Sequence, residues 1–93
     1  MRQVGIGGPP RSYLTEGEWP DGTVDGPVEA RYAQALAQRL RDAIGQRSLR
    51  EVGRAARIDH TTISAILAGR RWGDLVTIAR LEQALGQRLW PDL

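Results

Sequence analysis

The chain reads as an all-α domain: a compact bundle of four to five helices preceded by an irregular N-terminal arm. Three observations carry that expectation. Apolar residues recur at helical spacing from Val28 onward. Residues with capping chemistry stand at the ends of each periodic run. Before Val28 the chain is broken by six glycines (5, 7, 8, 17, 22, 26) and four prolines (9, 10, 20, 27), and no periodic pattern survives that spacing. The division is therefore an arm at 1–27 and a helical domain at 28–93.

The helices follow in order. Val28, Tyr32, Leu36, Leu40 and Ile44 recur every four residues and place an apolar stripe on one face of a first helix. Pro27 suits its first turn and Gly45 its end. Ser48 with Glu51 three residues later is a capping-box pattern for a second helix, with Leu49, Val52 and Ala56 facing inward. Asp59 is a good N-cap for a third, whose inward residues are Ile63, Ile66 and Leu67, closed by Gly69. Asp74 caps a fourth, striped by Leu75, Ile78, Leu81 and Leu85 and stopped by Gly86. Leu89 and Trp90 are expected to fold back onto the bundle through a short fifth turn. In the arm, Tyr13, Leu14 and Trp19 are the bulky apolar residues. They are read first as docking the arm onto the bundle and second as a contact for a partner chain, with Tyr13 and Trp19 the candidates.

Composition removes several classes of function. The 93 residues suffice for one small domain. With 41% hydrophobic and 26% charged residues, the chain is neither a disordered nor a membrane type. No run approaches the roughly 20 apolar residues of a spanning helix, and the first ten residues lack the apolar core of a secretory signal. A cytoplasmic, nucleoid-associated location is expected. There is no cysteine and a single histidine, His60. A disulfide scaffold, a thiolate metal site and a thiol nucleophile are thereby excluded, and no cofactor or metal is expected. Gly5, Gly7 and Gly8 hint at a nucleotide loop, but Pro10 stands where the third glycine belongs. The stretch from Asp21 echoes a calcium loop, yet its twelfth position is Tyr32 instead of glutamate. No enzyme is expected.

Charge is distributed unevenly. Residues 1–29 hold two arginines against five acids, a net −3, and residues 30–93 hold eleven against six, a net +5. All thirteen basic residues are arginine, whose planar fork suits phosphate and guanine. Between Gln46 and Gly73 there are six arginines (47, 50, 54, 57, 70, 71) and two acids. The second and third helices share that interval and are joined only by Arg57-Ile58-Asp59, a link short enough to make them cross steeply. Gly53, in mid-helix, costs about 1 kcal/mol relative to alanine, a cost that fits the close approach of another helix backbone.

The segment Ser48–Trp72 resembles the helix-turn-helix of the Cro/C1-type (XRE) repressors, the lambda-repressor-like domains. Thr62-Ile63-Ser64, Ile66-Leu67 and Gly69-Arg70-Arg71-Trp72 carry the resemblance, and Leu81–Gly86 with Leu89-Trp90-Pro91 continue it. It spans Tyr32 to Pro91. Two departures are Arg57, where the family's turn usually has glycine, and Gly53, where it prefers alanine.

The resemblance implies a sequence-specific double-stranded DNA-binding protein that regulates transcription and reads the major groove with the helix at about 60–68. His60, Thr61, Ser64 and Ala65 are then the candidate base contacts, all small or polar enough to approach base edges. Arg50, Thr62, Arg70 and Arg71 are the candidate phosphate contacts. Trp72 is read as packing beneath the loop. Half-sites one helical turn apart imply a homodimer. The alternative is a protein-interaction module, such as an antitoxin or adaptor, gripping its partner through the arm.

Overall fold

A computed structural model describes residues 7–93. The elements in chain order are a 3-10 turn (Pro10–Tyr13), strands β1 (Leu14–Glu16) and β2 (Thr23–Val24), and helices α1 (Val28–Ile44), α2 (Leu49–Ala56), α3 (His60–Leu67) and α4 (Leu75–Leu85). Helix boundaries fall where capping chemistry puts them. Ser48 accepts the Glu51 N–H at 3.1 Å while the Glu51 carboxylate accepts the Ser48 N–H at 3.2 Å, so two orphan donors of α2 are satisfied reciprocally. Asp59 and Asp74 cap α3 and α4 through the N–H groups of Thr61 and Thr77, each at 2.8 Å. Gly86 ends α4 in the left-handed region.

The four helices close on one apolar core. Leu40, Val52, Ile63, Leu81 and Leu89 are almost wholly withdrawn from solvent, and Leu36, Ile44, Ile66 and Ile78 surround them. Burying a side chain of this size stabilises the fold by about 1.5–3 kcal/mol. α2 packs on both α3 and α4, and α1 packs on α3. No helix among the described residues is long and apolar enough to cross a membrane.

Two stripes are narrower than expected. Val28, at 51% exposure, and Leu75, at 74%, face solvent. Thr77 occupies the inward place instead of Leu75, because its N–H and hydroxyl both bond to the Asp74 carboxylate. The fifth helical turn is also absent. Leu89 does fold back and is fully buried, but the segment is bent and extended. The Glu82 carboxylate holds it by accepting the N–H groups of Leu89 at 2.7 Å and Trp90 at 3.0 Å. Those bonds keep the Glu82 carboxyl below its ordinary range.

The largest difference lies in the described part of the arm, residues 7–27, which forms regular structure despite its punctuation. β1 and β2 pair antiparallel with an irregularity between Leu14 and Glu16. Gly17 takes a positive φ of 79°, and Gly22 is so close to the Glu16 carbonyl that no Cβ would fit. This small hairpin is tied to α1. The Gln34 amide donates to the carbonyls of Pro20 at 2.9 Å and Gly22 at 2.6 Å, and the Gln38 amide donates to Pro20 at 2.9 Å. Arg41 pairs with Asp21 at 2.8 Å.

Candidate nucleic-acid interface

The geometry starts from the α2–α3 turn. Arg57 closes α2 in the left-handed conformation, φ 60° and ψ 46°, and is the single non-glycine residue with positive φ among the described residues. The glycine-like turn is therefore made without glycine. Gly53 explains the tight approach: a Cβ there would lie 2.6 Å from the Ile58 carbonyl oxygen and 3.4 Å from the His60 nitrogen. The close neighbour is the turn itself. The Ile58 N–H donates to the Gly53 carbonyl at 2.9 Å and locks the two together.

α3 leaves this turn with Ile63 and Ile66 in the core. At roughly 100° per residue, His60, Thr61, Ser64 and Ala65 share one face about 140° wide. Thr61 is exposed, and His60, Ser64 and Ala65 are half-buried. Thr61 is partly engaged: its hydroxyl donates to Asp59 Oδ1 at 2.7 Å. It therefore offers a lone pair and a methyl outward, with its proton already given. The two Thr61 bonds, followed by His60 and Arg50, hold the Asp59 carboxyl below the ordinary 3.8. Thr62, proposed for phosphate, lies half-buried at the edge of the face.

Arginines stand at both ends of α3. Arg50, Arg54 and Arg57 border an open cleft together with Gly53, Ile58, Asp59 and His60. Of these three arginines, Arg50 is the one expected from the sequence to meet phosphate, alongside Thr62, Arg70 and Arg71 elsewhere. Arg54 follows at i+4 on the same helix, so its shared face with Arg50 was readable. At the other end, Arg70 and Arg71 are exposed directly after Gly69. Gly69 takes φ 72°, and the Arg70 N–H returns to the Ala65 carbonyl at 2.9 Å, so the loop is tied to the end of α3. Among the described residues, the arginine–carboxylate pairs fall on Arg39 and Arg41, and none involves Arg50, Arg54, Arg57, Arg70 or Arg71.

The arm reaches this loop. The Arg11 N–H donates to the Gly69 carbonyl at 2.9 Å, and the Trp72 indole N–H donates to the Gly8 carbonyl at 3.1 Å. The Trp19 ring covers Gly69 so closely that a Cβ there would lie 2.7 Å from its Cε2. The buried Trp19 Nε1 has no hydrogen-bond partner among the described residues. Tyr13 packs its ring against Gly26, and its hydroxyl accepts the Gly7 N–H at 3.2 Å. Trp19 thus rests on the loop after α3, Tyr13 packs within the arm, and both residues stay half-buried. Trp72 packs as expected, bordering an apolar cleft with Tyr32, Leu36, Ile78 and Trp90.

Among the described residues no group of acidic or histidine side chains is arranged to hold a metal ion. No family model, no curated protein and no solved structure matches the chain.

Proposed function

We propose that the chain is a sequence-specific double-stranded DNA-binding protein that regulates transcription by occupying an operator. One observation carries this reading. The small polar face of α3 is flanked by guanidiniums at both ends, and none of these forms a close ion pair with a carboxylate among the described residues. Such a layout separates two tasks. Arg50, Arg70 and Arg71, joined by Arg54 and Arg57, supply sequence-independent attraction to phosphate. His60, Thr61, Ser64 and Ala65 meet base edges in the major groove. The capped start of α3 keeps His60 and Thr61 in a fixed first turn, so their positions are set before DNA arrives. A palindromic operator bound by two copies follows from the same docking geometry.

The test is selection of binding sites from random duplex DNA with the purified chain, then affinity ratios at fixed salt. The wild type is expected to enrich one motif. His60→Ala, and Thr61→Ser, which removes the methyl but keeps the bond to Asp59, should each lower the ratio of selected to scrambled duplex. A good base contact is worth about 1–3 kcal/mol of such discrimination. Binding to scrambled duplex should hold, because neither residue supplies phosphate charge. No enrichment, together with a co-purifying protein, would overturn the reading in favour of an interaction module.

A further inference from the structure

We propose that the docked arm is part of the same DNA surface: Arg11 joins Arg70 and Arg71 in a three-guanidinium seat for backbone phosphates at the C-terminal end of α3. The proposal rests on the DNA-binding reading and adds a residue and an element to it.

The placement comes from the chain's own bonds. Arg11 lies in the 3-10 turn, and its N–H bonds to Gly69, the residue directly before Arg70. Three further contacts prevent that turn from drifting. Trp19 is seated on Gly69, Trp72 holds the Gly8 carbonyl, and Pro10 is fully buried. Gly8, Pro9, Arg70, Arg71 and Trp72 line a single open cleft beside it. The arm and the loop after α3 are therefore two walls of one feature.

Charge argues in the same direction. The arm is acidic by count; among its acids Asp21 is paired with Arg41 on α1, and Glu16, Glu18 and Asp25 are exposed. Arg11 has no carboxylate partner among the described residues and is exposed, as are Arg70 and Arg71. The Arg11 backbone adjoins the loop that carries Arg70 and Arg71, and a row of phosphates is a ligand that cations on adjoining segments can share. The arm's anchorage places the Arg11 backbone beforehand, so only its side chain is left to order on binding.

The test uses the full chain, a duplex of random sequence, and affinity measured across a salt series. Each phosphate contact contributes about 0.9 to the slope of log affinity against log salt. Arg11→Gln is expected to lower the slope by about 0.9, and Arg70→Gln with Arg71→Gln by about 1.8. Arg88→Gln, an exposed arginine on the segment after α4, is the control for simple loss of charge and should leave the slope unchanged. Trp19→Ala should reproduce the Arg11→Gln slope, and adding Arg11→Gln to it should change nothing more. Trp19→Phe keeps an aromatic ring on Gly69 should the alanine variant unfold, and it is expected to retain most of the slope. If Arg11→Gln keeps the wild-type slope, or loses no more than Arg88→Gln, while the double loop variant falls, the arm is not part of the surface and DNA binding stands without it. If Arg11→Gln alone falls, the three-arginine seat is wrong because the loop is not in it. If neither Arg11→Gln nor the loop variant moves the slope, the seat is absent and any DNA binding rests on Arg50, Arg54 and Arg57; a wild-type affinity that does not change with salt is the result that sinks the DNA-binding reading itself.

Discussion

Replacing Arg57 with glycine should make the protein more stable. Arg57 holds φ 60° and ψ 46°, a conformation that crowds Cβ against the following carbonyl. For a residue with a Cβ that conformation costs about 1–2 kcal/mol. Glycine removes the cost but brings more freedom to the unfolded chain, about 0.5–1 kcal/mol. The difference spans about 0–1.5 kcal/mol, and its middle, about 0.5–1 kcal/mol, is the expected net gain. Nothing else in the turn should be lost. The Arg57 N–H donates to the carbonyls of Arg54 and Gly53, and its carbonyl accepts from Arg80 at 3.3 Å, and glycine keeps both backbone groups. In a domain of this size the gain corresponds to a rise in Tm of about 2–8 °C. Thermal melts followed by circular dichroism would measure it, with urea midpoints at unchanged m as a check. Arg57→Ala separates backbone from charge: it removes the guanidinium but keeps the Cβ, so it should show none of the gain. A glycine variant melting at or below the alanine variant would refute the left-handed turn, and with it the angle at which α3 is presented.

Two further outcomes follow from the core and the caps. Ile66, 4% exposed, anchors the inner side of α3; Ile66→Ala should cost about 2–5 kcal/mol, and an unmoved melting transition would mean that α3 presents a different face. Asp59, Asp74 and Glu82 titrate below their ordinary 3.8, 3.8 and 4.5 because backbone N–H groups, joined at Asp59 and Asp74 by a threonine hydroxyl, bond to the ionised forms. Depressed folded values mean that this stability is present above the ordinary values and is lost as pH falls through the lower folded ones. Tm should be level near neutrality and fall below about pH 4, and a Tm unchanged down to about pH 3 would contradict the cap geometry.

What was legible in the sequence and what was not divides along the distance over which each cause acts. The helix ends were legible because their causes are local. Ser48 and Glu51 satisfy each other within one turn, and Asp59, Asp74 and Gly86 act on residues at most four away. The outward face of α3 was legible for the same reason, since a repeat of 3.6 residues fixes which side chains share it. The arm was not. Strands of three and two residues leave no alternation to find, and their order comes from Gln34, Gln38 and Arg41, which lie across the fold. Leu89 was legible as a residue that returns to the core, but not the means of its return, because the glutamate that holds it also suits an ordinary exposed helix position. Glycine shows the boundary most clearly. Gly53 announced a close approach through its cost in mid-helix, and the approaching group proved to be a carbonyl five residues away. Gly69 looked like a helix stop and is one, but it is also the floor on which Trp19 rests and the acceptor that fixes Arg11. A glycine that ends a helix needs no neighbour, so nothing local distinguishes it from a glycine kept bare for a distant indole. The arginines at 50 and 54 could therefore be joined by counting along one helix, and Arg11 could be joined to Arg70 only through the fold.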